Sequence, residues 1–175
     1  MTDNLNIVSA PIRLAERRVF SDSFKPLYAD GMRLVEEAAA YLDGEGRIEA
    51  KRMSRLAATL YAAESMRLTT RLMQVATWLL LQRAANKGEM TRAQVADEKS
   101  KVRLDTPSAS LSVPSWEELP SKFKVIVERS LKLQTLVAKL DKDIYGTNVA
   151  PADDADGRNH VSDQLALLKT AFGSR

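Results

Sequence analysis

Between Gly46 and Gly88 the chain has neither proline nor glycine. A stretch of that length without a breaker commits the middle of the protein to helix. Roughly forty helical residues extend about 60 Å, which is long for so small a chain. The most apolar part, "VATWLLL" at 75–81, raises the question of a membrane span. It is too short for one. Arg71 and Arg83 flank it, and Gln74, Thr77 and Gln82 interrupt it. The residues between those arginines rise roughly 16 Å as helix, against a hydrocarbon core of about 30 Å. The segment is therefore expected to face protein, and the protein to be soluble.

Two apolar rows run along this central helix, Tyr61–Leu68–Leu72–Val75–Leu79 and Met66–Thr70–Met73–Thr77–Leu80. Rows on different sides imply a helix covered on more than one side. The strip between them reads Glu64, Arg67, Arg71, Gln74, Trp78, Gln82, polar apart from the tryptophan. A tryptophan among arginines on a polar face has the make-up of a binding hot spot. Arg67, Arg71, Gln74 and Trp78 are thus candidate partner-binding residues, the alternative being that a neighbouring helix or a dimer mate simply covers Trp78.

The flanking segments supply partners for the rod. A first helix is expected from about Ser23 to Asp43, with Ser21, Asp22 or Ser23 as cap, Pro26 in its first turn and a stop at Gly44 and Gly46. Its apolar residues Phe24, Leu27, Tyr28, Leu34, Val35, Ala38, Tyr41 and Leu42 recur at three and four. A third helix starts at Thr91, where "TRAQ" is a capping box, and ends near Arg103. It is mostly polar and belongs on the surface. "LDTPSASLSVPS" then reads as loop. A fourth helix runs from about Pro120 to Tyr145, with Phe123, Ile126, Ser130, Leu133, Val137, Leu140 and Ile144 forming nearly a heptad seam.

The fold class is accordingly all-α: an antiparallel three-helix bundle of long helices with one short extra surface helix and flexible termini. The expected boundaries are an N-terminal arm at 1–20, the bundle at 21–146, and a C-terminal tail at 147–175. If the central helix outruns its neighbours, the uncovered length needs a second copy, giving a homodimer; the alternative is that it kinks and folds back. In the tail, Leu165, Leu168 and Phe172 share one face of a short amphipathic piece. Burying three such side chains gives roughly 1.5–3 kcal/mol each, while ordering about eleven residues costs roughly 1–2 kcal/mol each. These three are therefore candidate docking residues that order only on a partner.

Little in the sequence supports chemistry. The charge is nearly balanced, 26 Lys+Arg against 23 Asp+Glu, and there is no cysteine, so thiol catalysis and thiolate metal sites are excluded. The single histidine, His160, sits in the tail, away from any rigid frame for a triad. "DDADG" at 153–157 has the wrong residues at the first and last positions of a calcium loop. "DGEG" at 43–46 lacks the Lys-Ser/Thr of a phosphate loop. No enzyme, metal or cofactor is expected, and no secretory signal is apparent. DNA binding is the competing function. The helix opening with Arg92 and Gln94 after a glycine turn carries residue types that read base edges, although Asp97 and Glu98 oppose phosphate.

Two stretches are more specific. "YLDGEGR" within 31–51, and "ESMRLTTRLMQ", "WLLL" and "GEM" within 61–91, resemble the regulator of CtrA degradation (RcdA) family of alphaproteobacteria. The resemblance implies a non-enzymatic, cytoplasmic adaptor for the ClpXP protease: a dimeric three-helix bundle with a flexible tail, docking on protease primed by CpdR. Cargo such as CtrA is then recruited directly or through PopA. The resemblance carries over no catalytic residue, membrane or nucleic-acid partner.

Overall fold

The computed structural model describes residue 19, residues 21–108 and residues 113–146. Helix α1 spans Phe24–Asp43, α2 Glu45–Ala50, α3 Arg55–Asn86, α4 Arg92–Ser100 and α5 Ser121–Tyr145, with one 3₁₀ turn at Pro114–Trp116. Among the described residues there is no strand, and the fold is all-α as the periodicity requires.

The core follows from three stripes. On α1, Phe24, Leu27, Gly31, Leu34, Ala38 and Tyr41 are buried at alternating spacings of three and four. On α5, Phe123, Ile126, Ser130, Val137 and Leu140 keep the same rhythm. Such seams favour shallow crossing angles between long partners. The stripes meet α3 in two apolar clusters. One gathers Leu34, Tyr41, Tyr61, Leu68, Trp116 and Phe123; the other gathers Val19, Phe24, Val75, Trp78, Leu79 and Val137. Gly31 allows close contact, because a Cβ there would lie 2.5 Å from Leu79 Cδ1.

The contacts fix the topology. α1 is antiparallel to α3, with Tyr28 bonded to Arg83 at one end and Tyr41 clustered with Tyr61 at the other. α5 is parallel to α3. Successive pairs run Ser54–Glu118, Arg71–Ser130, Trp78–Asp141 and Gln82–Tyr145. The described residues between α4 and α5, 101–108 and 113–120, therefore lie back along the length of α3 before α5 begins. That crossover brings Trp116 into the core at 6 % exposure.

Two expectations are corrected. The bundle foreseen as antiparallel has α5 running parallel to α3, because the chain returns to the start of α3 before α5 begins. The rod foreseen from about Arg47 to Gly88 is two helices, broken at 51–54 without proline or glycine. Ser54 turns to extended backbone (ψ 156°), and its hydroxyl accepts from the Ala57 amide, which caps a new helix. The preceding turn is held in place by side chains: Tyr41 donates to Glu49 Oε2 at 2.6 Å. The chain kinks and folds back, the alternative to a rod outrunning its bundle. α4 matches its expected start, with Thr91 and Gln94 making the reciprocal capping box. No helix among the described residues is long and apolar enough to cross a membrane.

Candidate functional site

The polar strip of α3 is where a partner surface was expected, and most of it is interior. Glu64, Arg71, Trp78 and Gln82 are each fully buried. The reason is the crossover, which lays irregular backbone over this side of α3 and needs donors for its carbonyls. Arg71 supplies them. Its guanidinium donates to Thr106 O at 3.4 Å and Pro107 O at 3.3 Å, to Ser130 Oγ at 2.7 Å and to Glu64 Oε1 at 3.3 Å. Gln134 Nε2 adds a second bond to Thr106 O. Thr106 Oγ1 donates to Gln74 Oε1, and Ser108 Oγ to Glu64 Oε1, at 2.8 Å each. Burial pulls the Arg71 guanidinium below its ordinary range, and Glu64 opposes that shift.

Trp78 belongs to a second chain of bonds. Its indole N–H donates to Asp141 Oδ1 at 2.9 Å, and Lys99 Nζ of α4 reaches Asp141 Oδ2 at 2.7 Å. Lys99 also sits 4.7 Å from the centre of the Tyr145 ring, and Tyr145 donates to Gln82. Arg71 and Trp78 thus present no face to a partner of the folded chain: α5 and the crossover cover them. Gln74 is partly buried under Thr106. Arg67 keeps an exposed side chain, 3.6 Å from Glu64. Leu165, Leu168 and Phe172 lie outside the described residues.

The missed signal was spacing. Tyr61, Glu64, Leu68, Arg71, Val75, Trp78 and Gln82 alternate at three and four, and every one is buried. Taken without regard to polarity, this is the α3 seam. The row Met66–Met73–Leu80, expected to be covered, points outward instead.

For the competing DNA reading, the Gln94 side chain is spent on the amide of Thr91. α4 itself is pinned through buried Val95 and the Lys99–Asp141 pair. Among the described residues no three His, Cys, Asp or Glu side chains gather where they could hold a metal ion. An open cavity of about 810 Å³ lies between the start of α1 and the end of α3, bounded by Phe24, Tyr28, Arg83 and Asn86. Asn86 donates there to the carbonyl of buried Val19.

Comparison with known proteins adds to this geometry. Residues 15–172 match the family described as "Protein of unknown function (DUF1465)". Among solved structures, the chain resembles RcdA from Caulobacter crescentus CB15 with 46 % sequence identity and a TM-score of 0.60, covering 72 % of this chain and 93 % of that one. No curated protein matches.

Proposed function

The chain belongs to the RcdA family, which ties it to regulated proteolysis, and on that premise we propose that it is a non-enzymatic adaptor tethering cell-cycle regulators such as CtrA to the ClpXP protease. Its partners are ClpXP primed by CpdR, the effector PopA, and protein cargo. It works in the cytoplasm as a homodimer, and the tail residues Leu165, Leu168 and Phe172, with half-exposed Arg67, are its docking elements.

The likeness to RcdA is the observation that carries this reading. The fold supports it. The charged side chains buried in the bundle, Glu64 and Arg71, are engaged with each other and with the crossover, which makes them structural. A stiff bundle with a long C-terminal extension meets the needs of a tether. Holding cargo beside the unfoldase makes a second weak contact intramolecular, at an effective concentration of order mM, so that micromolar contacts suffice.

Reconstitution tests it. With purified ClpXP, CpdR, PopA and fluorescent CtrA, adding the protein is expected to speed cargo loss at least about tenfold when cargo is below its own Kd for the protease. The acceleration requires CpdR. An unchanged rate in the complete mixture overturns the adaptor assignment.

A further inference from the structure

On the side of the bundle away from α5, α1 and α3 leave an open apolar groove of about 380 Å³. Val35, Ala39 and Leu42 form one wall, and Met73, Ala76 and Leu80 the other. Met73 is 62 % exposed and Leu80 48 %, and Met66, about two turns further along, is 73 % exposed. Methionine side chains reshape themselves to fill gaps, which suits a surface that is sometimes covered. We propose that this groove is the resting place of the chain's own C-terminal segment, 161–172, which docks there as a short helix with Leu165, Leu168 and Phe172 inward.

Three observations select this occupant. The first is pattern: anchors at i, i+3 and i+7 are what a helix laid in a groove presents, and Leu165, Leu168 and Phe172 have that spacing. The second is shape. The groove, about 380 Å³, takes a few large side chains, which one short amphipathic segment supplies. The third is reach. α5 ends at Tyr145 beside Gln82 of α3, at the same end of the bundle as Leu80. Leu165 follows Gly146 by 165 − 146 = 19 residues, a contour of about 60 Å. Passing around one helix needs only about 20 Å. The family match also continues to residue 172, through this segment.

Docking in cis at an effective concentration of order mM lets a weak contact hold the segment without trapping it. A partner that binds either the groove or the segment then competes with the closed form. The inference builds on the adaptor reading by giving its docking element a closed state. Its test uses neither protease nor cargo, so the two can fail separately.

The absence of cysteine makes the test clean, since two introduced thiols are the only ones present. The full chain carrying Met73→Cys and Leu168→Cys is compared with one carrying Val125→Cys and Leu168→Cys, Val125 being half exposed on α5. Under mild oxidation the first is expected to form an intramolecular disulfide, at monomer mass, at least tenfold faster than the second. Adding Leu165→Asp and Phe172→Asp is expected to remove the difference. Equal rates in the two pairs overturn the proposal. So does a dimer-mass product from Met73→Cys alone that outpaces the intramolecular disulfide, which would give the groove to a second copy.

Discussion

Arg71 is the residue on which the buried polar network turns. It neutralises Glu64 and satisfies two carbonyls of the crossover at once. Replacing it strands a carboxylate in the interior, which typically costs about 3–5 kcal/mol. Arg71→Met is therefore expected to lower the free energy of urea unfolding by about that much. The double variant Arg71→Met/Glu64→Leu should recover part of the loss, with a coupling energy of about 1–3 kcal/mol. Strict additivity of the two single changes would contradict the pairing. Tyr41 makes a separate prediction, in alkali. Burial first, then its bond to Glu49, push the phenol well above the ordinary tyrosine value of 10. The folded state thus holds the Tyr41 proton at a pH where the unfolded state releases it. That contribution is complete below the unfolded value of about 10 and declines as pH rises beyond it. Unfolding midpoints measured from pH 8 to 11.5 should fall above about 10, and fall less steeply for Tyr41→Phe.

Among the elements, the break before α3 is the most informative. Helix propensity across 47–87 favours a single rod, and no residue there forbids one. The break is made by Ser54, whose hydroxyl caps Ala57 and also donates to Glu118 Oε2 at 2.6 Å. Ser54→Ala should cost about 1 kcal/mol of stability, read as a shift in denaturation midpoint; no shift would mean that packing alone sets the break. Gly46 completes the turn. A Cβ there would meet the Tyr61 hydroxyl and the Tyr41 carbonyl. Gly46→Ala is expected to cost about 1–3 kcal/mol by overpacking. These elements also show what could be read from the sequence. The stripes of α1 and α5 and the box at Thr91 were legible because each is local: a periodicity or a cap within a few residues. The covered face of α3 was not. Its seam contains Glu64, Arg71 and Gln82, which the distant residues 106, 108, 130 and 145 meet. Polarity marked that strip as a partner surface, with cover by a neighbouring helix as the alternative, and placed Met66–Met73–Leu80 under cover; α5 covers Trp78, as the alternative had it, and the methionine row stays exposed.

At the scale of the molecule, the crossover explains why α3 and α5 run in the same sense and leave one side of the bundle open. The side closed by the crossover is polar, with Arg71, Glu64 and Gln74 hydrogen-bonded to it; the side left open is apolar and grooved. Truncation after residue 160 is expected to leave the unfolding midpoint of the bundle within a few degrees of the full chain, because a docking near energetic balance adds little. It should also impair cargo delivery. A collapse in the midpoint would instead make that segment part of the core. The proposed action is tethering, with no chemistry of the protein's own. A tether has a signature that a catalyst lacks: in excess it occupies protease and cargo separately and breaks the bridge. The most direct measurement is the initial rate of cargo degradation by primed ClpXP across a wide range of adaptor concentration, with protease and cargo fixed. The account predicts a rise to a maximum followed by a decline at large excess. A rate that saturates at amounts far below both protease and cargo, and stays there, would contradict it.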